Sequence, residues 1–333
     1  MTMDDRDAGA HPSQPRKAAT GAVNRGHAPV LLNECMRGLD VAAGGRFLDL
    51  TFGRGGHTRA LLASAPNVSV VALDRDPEAV LAGQLLAAQQ GGRLRVVEGN
   101  FGELSALTAE LGGPFHGVLA DVGVSSPQLD SPERGFSFRH AGPLDMRMDR
   151  TSDTLADWLR RQDETTLADV IYHYGEERRS RRIARAILEA LAAGRLRTTL
   201  DLREAVMSIG GWGHSRIDPA TRTFQALRIA VNDELGALQR MLADVRALLA
   251  PDGRLAVITF HSLEDRMVKW TFRNVTLWQA LTRRPVVASD AERLENPRAR
   301  SAKLRVATRT ADVSARTTGA ALLNQVEKRE EDL

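Results

Sequence analysis

Three glycines and a histidine sit close together in Thr51-Phe-Gly-Arg-Gly-Gly-His57, directly after the apolar run Phe47-Leu48-Asp49-Leu50. Glycines in such a turn let backbone approach a ligand closely, and the helix that follows points unpaired N–H groups at it. The spacing of Gly53, Gly55 and Gly56 is not Gly-x-Gly-x-x-Gly, so the dinucleotide fingerprint is absent. A carboxylate, Asp74, closes the next apolar run, Val68-Ser-Val-Val-Ala-Leu-Asp74. A glycine turn on one strand and an acid at the end of its neighbour are the groups that hold a nucleoside, the acid gripping two ribose hydroxyls. A further strand end, Asp121-Val-Gly-Val-Ser-Ser-Pro-Gln128, adds an acid, small residues that admit a planar base, the Ser125 hydroxyl and the Gln128 amide. Phe101, just past another strand, has the face to stack on a purine or else to fill a core. His140 and His261 are candidates for acid–base work, and neither has a partner at metal-ligand spacing, so no metal is expected. No Gly-x-Ser-x-Gly elbow supports a serine nucleophile.

The elements that must position these residues follow from the hydrophobic pattern. Strands are expected at 46–51, 68–73, 93–98 and 115–121, with helices at 57–64 and 77–89 between them. That alternation argues for a doubly wound α/β fold with a parallel sheet, whose ligand lies beyond the carboxyl ends of the strands. The alternation stops at Asp121. Between about 131 and 217 only helical patterns recur, at 153–161, 165–174, 176–193 and 201–209. It resumes with one long helix over 222–249, ended by Pro251-Asp-Gly253, then a strand at 254–260 and a last one at 303–307. The expected organisation is a sheet domain from 26–130 and 218–310, with a helical substrate-recognition domain, 131–217, inserted after the fourth strand. Residues 1–25 read as disordered and 311–333 as a loose tail.

Composition sets the outer limits. With 333 residues, 43% hydrophobic and 26% charged, the chain is an ordinary globular one with ample core. Cys35 is the only cysteine, which excludes an internal disulfide and a cysteine-based metal site and suits a reducing cytosol. No apolar run approaches the roughly 20 residues of a membrane span, so a cytoplasmic location is expected. A net charge of +3 is too small to name a partner. The local arrangement says more: Arg178, Arg182 and Arg185 share a face of an expected helix, with Arg216, Arg222 and Arg228 further on. Such a face is either solvated or laid against phosphates.

Several long runs resemble one family. They include His27-Ala-Pro-Val-Leu-Leu, Thr51 to His57, Asp74-Arg-Asp-Pro77 and Asp121 to Phe138, and also Gly142-Pro-Leu-Asp-Met-Arg-Met-Asp149 and Tyr174-Gly-Glu-Glu177. Pro219 to Ile229, Phe260-His-Ser-Leu-Glu-Asp-Arg266 and Asn296 to Lys303 complete the set. Together they resemble the bacterial MraW-type family, the small-subunit (16S) ribosomal RNA (cytosine-N4)-methyltransferases, over roughly residues 26 to 308. The resemblance implies a class I methyltransferase fold with a helical insertion and S-adenosyl-L-methionine as cofactor. It implies that Gly55, Gly56 and His57 bind the methionine end and Asp74 the ribose. Phe101 and Asp121 would line the adenine side, and Gln128 would complete the pocket. The implied substrate is the N4 amino group of one cytidine in the decoding region of 16S rRNA in the small subunit. DNA amino-methyltransferases often carry Asp/Asn-Pro-Pro-aromatic after the fourth strand, where this chain reads Asp121-Val-Gly-Val. The expectation is therefore that Asp121 and Ser125 lie nearest the target amine, with His140 and His261 as further candidates. A DNA amino-methyltransferase and a non-catalytic ribosome-assembly factor are the alternatives.

Overall fold

The computed structural model describes residues 29–213 and 218–311. The expected disordered head, the tail beyond 311 and Arg216 lie outside the described residues. In chain order, α1 (Leu32–Leu39), β1 (Gly45–Asp49), α2 (Gly56–Ser64) and β2 (Val68–Asp74) are followed by α3 (Pro77–Ala87) and β3 (Leu94–Glu98). Then come α4 (Leu104–Leu111), β4 (Phe115–Asp121) and the short α5 (Ser126–Asp130). Four helices follow: α6 (Leu155–Arg160), α7 (Glu164–Gly175), α8 (Ser180–Ala192) and α9 (Thr199–Ser208). The chain returns through α10 (Ala220–Asn232), α11 (Glu234–Leu248), β5 (Leu249–Thr259) and α12 (Ser262–Thr271). It closes with β6 (Trp278–Ala280), β7 (Val286–Val287), α13 (Asp290–Glu295) and β8 (Lys303–Arg309).

The sheet runs β3-β2-β1-β4-β5-β8-β6, with β7 also on β8. Its first five strands are parallel, whereas β8 is antiparallel to β5, and β6 and β7 are antiparallel to β8. The expectation of a parallel sheet thus holds for five strands and fails at one edge, where the β6 and β7 segments, only two or three residues long, leave no mark in the pattern. Strand order reverses between β1 and β4, and that switch point is where a doubly wound sheet opens a crevice. Period-two alternation sends Phe47 of β1 to one face, into the core that holds Leu61, Val70 and Leu304, and Leu48 to the other, into the core that holds Val71, Val118 and the α11 residues Leu238 and Met241.

A third core lies in the helical region, built from Leu155, Leu167, Ile171, Ile183, Ile187 and Leu202. It also takes in Ala220, Phe224 and Leu227 of α10, a helix that the hydrophobic pattern assigns to the sheet domain. The long helix expected over 222–249 is two helices, broken at Asp233, whose φ of 48° is left-handed. Asp tolerates that conformation better than most residues. The preceding Asn232 is buried, donating to the Met146 carbonyl and accepting from the Met148 N–H, both at 2.8 Å. Likewise α8 starts at Ser180 rather than 176, because Glu176 turns left-handed (φ 50°) and ends α7.

Candidate active site

The crevice is built outward from β1. Asp49, at its carboxyl end, is buried and accepts from the Thr58 hydroxyl at 2.6 Å and the Thr51 N–H at 3.2 Å, which ties the glycine turn to the first turn of α2. Within the turn Gly55 has φ +70°, and a Cβ there would meet the Phe52 ring at 2.6 Å. A Cβ on Gly56 would meet Pro29 at 2.4 Å. Gly53 donates its N–H to Asp74 Oδ2 at 2.7 Å, and Asp74 Oδ1 accepts from Asp76 N–H at 2.9 Å. The end of β2 is therefore hydrogen-bonded to the turn after β1. Because α2 begins at Gly56, the N–H groups of Gly56, His57 and Thr58 have no acceptor within the helix and suit an anionic group.

His57 links this turn to β4. Its Nε2 lies 3.1 Å from the Val30 carbonyl and its Nδ1 3.8 Å from Asp121 Oδ2. A carbonyl can only accept, so Nε2 carries a proton toward Val30, and Nδ1 is the ring atom that faces the carboxylate. The backbone of Asp121 is fixed by its N–H donating to the Thr51 hydroxyl at 2.7 Å. Its Oδ1 is buried with no hydrogen-bond partner among the described residues. Burial pushes the Asp121 carboxyl up to about 6, with Asp49 and Glu264 adding to the rise and His57 opposing it. Burial likewise pushes Asp74 up to about 6 against its two backbone hydrogen bonds, and raises Asp49.

On the other side of the crevice Phe101, half-buried after β3, lines a narrow pocket with Val122, Gly123, Met148 and Glu264. Met148 belongs to the helical region, and its loop is held over the sheet by Asn232 and by an ion pair between Arg75 and Asp149. Glu264, which spacing did not single out, is buried; its Oε2 accepts from the Phe260 N–H at 2.8 Å. His261 Nε2 stands 3.0 Å from Glu264 Oε1 but off hydrogen-bonding geometry, since that nitrogen has no hydrogen-bond partner among the described residues. Against burial, which would raise it, His261, the Phe260 N–H and Arg228 hold the Glu264 carboxyl below its usual range. The available signal was its place three residues after His261, the position of a capping-box acid.

Ser125, the N-cap of α5, lies across from the turn: a Cβ on Gly53 would sit 3.9 Å from the Ser125 Cβ. Gln128 spends both ends inside the protein, accepting from Ser125 N–H and donating to Asp76, each at 2.9 Å, so it braces the pocket wall. Gly55, Gly56, His57, Asp74, Asp121, Ser125 and Gln128 thus gather at the ends of β1, β2 and β4, with Phe101 and His261 flanking them. His140 does not join them; it is exposed in the helical region, where its carbonyl accepts from the Thr199 hydroxyl at 3.0 Å. The arginine face also needs correction. Arg185 is paired with Glu164 at 3.0 Å, Arg228 is inside and bidentate on Glu234 at 2.7 and 2.9 Å, and Arg222 lies 3.6 Å from Glu177. Arg178 precedes α8 instead of lying on it.

The description "MraW methylase family" matches residues 24–310. A protein of Methylobacterium nodulans named ribosomal RNA small subunit methyltransferase H is 51% identical over 309 residues, covering 85% of this chain and 90% of its own. Its namesake from Methylobacterium sp. strain 4-46 is 52% identical over 309 residues (85% and 91%). That of Rhodospirillum centenum is 49% identical over 315 residues (89% and 95%). Among the described residues, no helix is long and apolar enough to cross a membrane.

Proposed function

The chain belongs to the MraW methylase family, and from that premise we propose that it methylates the N4 amino group of one cytidine in the decoding region of 16S ribosomal RNA, using S-adenosyl-L-methionine. The names of its relatives support ribosomal RNA of the small subunit as the substrate class. The observation that carries the choice of an amino group is Asp121, a largely buried carboxylate whose Oδ1 has no hydrogen-bond partner among the described residues and whose other oxygen lies 3.8 Å from His57 Nδ1. A buried acceptor left open is costly unless a donor fills it, and an exocyclic amine brings two.

The residues present fit the cofactor. Each Asp74 oxygen accepts one backbone N–H and keeps a lone pair for a ribose hydroxyl. Phe101, Val122 and Gly123 offer apolar surface for a purine at the crevice wall. The first-turn N–H groups of α2 suit a carboxylate, and the buried acids Asp49 and Asp121 favour a cation beside it. Bound there, S-adenosyl-L-methionine supplies a methyl group activated by a sulfonium charge.

The protein's part is to make a weak nucleophile competent. Cytosine N4 shares its lone pair with the ring, and an acceptor on its hydrogen localises that pair. Asp121 is that acceptor, and with its carboxyl near 6 it takes up the released proton close to neutral pH. His57 Nδ1 faces the same carboxylate at 3.8 Å and opposes the rise of its carboxyl, which keeps the acid available as an acceptor. Ser125 borders the same space from the N-cap of α5. A paired cytosine hides its amine, so the RNA is presented single-stranded or with the base splayed out. The test is to incubate small subunits from cells lacking this gene with the protein and labelled cofactor, then search the digested RNA by mass spectrometry. N4-methylcytidine at one position is expected. Cofactor binding without that product would assign a different acceptor.

A further inference from the structure

An open groove of about 460 Å³ lies where α7 turns into α8, lined by Tyr172, His173, Arg178, Arg181 and Arg182, with Asp169 the acid on its wall. We propose that this groove holds single-stranded RNA leading into the crevice, with phosphates on Arg178 and Arg181 and a base against Tyr172. The inference rests on the reading of the substrate as ribosomal RNA and assigns it a second, separate contact.

Four observations carry it. Arg178 and Arg181 are exposed and make no hydrogen bond or ion pair among the described residues, unlike Arg185, which is occupied by Glu164. Arg179 and Arg182 donate to the carbonyls of Gly210 and Ile209, which fixes two further positive charges in the wall without neutralising them. Tyr172 is 51% exposed and set edge-on against His173 at 5.1 Å, a flat apolar face beside cations. Such a pairing of stacking surface with a basic groove is how single strands are held independently of sequence. Finally, the groove starts next to the contact that joins the two regions. Glu176 accepts from the Ser262 hydroxyl at 2.9 Å and lies 3.8 Å from Arg266, both on α12, whose N-cap is His261. A strand leaving the groove at Arg178 therefore emerges at the crevice wall.

The test measures binding of a short fluorescein-labelled single-stranded RNA to the full chain as salt is raised, for the wild type and for Arg178→Gln/Arg181→Gln. The double variant is expected to bind at least tenfold more weakly, with a salt slope reduced by roughly 1.4, about 0.7 for each phosphate no longer neutralised. Tyr172→Ala weakens binding, Tyr172→Phe retains it, and Arg185→Gln behaves as wild type. An unaltered melting temperature and cofactor affinity show that the double variant is folded. Wild-type affinity and slope in that folded variant overturn the groove. Loss of binding as stated, in a protein that gives no methylated ribosomal RNA, upholds the groove and overturns the substrate instead.

Discussion

The imidazole of His57 stands between the Val30 carbonyl, 3.1 Å from Nε2, and the Asp121 carboxylate, 3.8 Å from Nδ1. Across the second gap lies the carboxylate whose Oδ1 has no hydrogen-bond partner among the described residues. Asp121→Ala is therefore expected to lower methyl transfer by about 10²–10⁴-fold, the usual contribution of a positioned proton acceptor. His57→Phe, which keeps the ring volume and the backbone N–H, is expected to cost less and to displace the pH profile. Single-turnover rates on small subunits check both. Near-wild-type turnover in Asp121→Ala would remove that residue from the chemistry.

The same carboxylate sets a pH dependence. With the Asp121 carboxyl near 6, the rate is expected to fall as pH drops through about 6, where the acceptor is already protonated. Stability moves the opposite way. The folded state holds this proton more tightly than the unfolded chain, so the stabilisation is full below about pH 4 and disappears as pH rises through about 6. Asp121→Asn should accordingly melt higher than wild type at pH 8 and lose that advantage at pH 4. A rise from the usual carboxylate value to about 6 corresponds to about 3 kcal/mol, and the quarter of the side chain left open to solvent reduces the expected gain to about 1–2 kcal/mol. Melting curves of the two proteins across pH decide it; equal stability at pH 8 would contradict the strained carboxylate.

The Arg228–Glu234 pair, bidentate and buried, spans the break between α10 and α11. Removing one partner leaves the other charge uncompensated inside, so Arg228→Ala is expected to cost about 3–5 kcal/mol in urea unfolding. Arg228→Met with Glu234→Leu fills the same space without charge and should recover most of that loss. A double variant as unstable as the single one would show that the pair does more than satisfy itself.

These pairs also show which parts of the molecule were legible from sequence. The acids and glycines at the ends of β1, β2 and β4 could be read because a strand's carboxyl end is a local property, visible as an apolar run breaking into polar residues. Arg228 could not be placed, because spacing alone does not reveal the left-handed turn at Asp233 that brings Glu234 back onto it. The helical periods before and after Asp233 are each regular, and together they read as one helix. Arg185 looks free in the sequence for the same kind of reason: its partner Glu164 is on α7, and helix packing, not local pattern, sets that contact. Met148 and Glu264 reach the crevice only through tertiary folding, from the loop over the sheet and from α12.

Phe101 gives the last test, since its role in the crevice can be separated from its role in the core. It is only half-buried, packing one side against the core that contains Leu104 and Leu238 and turning the other to the pocket with Val122 and Gly123. Aromatic stacking on a base contributes about 1–3 kcal/mol, or roughly 5- to 150-fold in affinity. Phe101→Ala is expected to weaken cofactor binding by a factor in that range, while Phe101→Tyr, which keeps the ring, changes it little. Calorimetric titration with S-adenosyl-L-methionine measures the first effect, and thermal unfolding without ligand measures any loss of core packing. If Phe101→Ala destabilises the free protein but binds cofactor as the wild type does, Phe101 is a core residue and the purine surface must be sought elsewhere on the crevice wall.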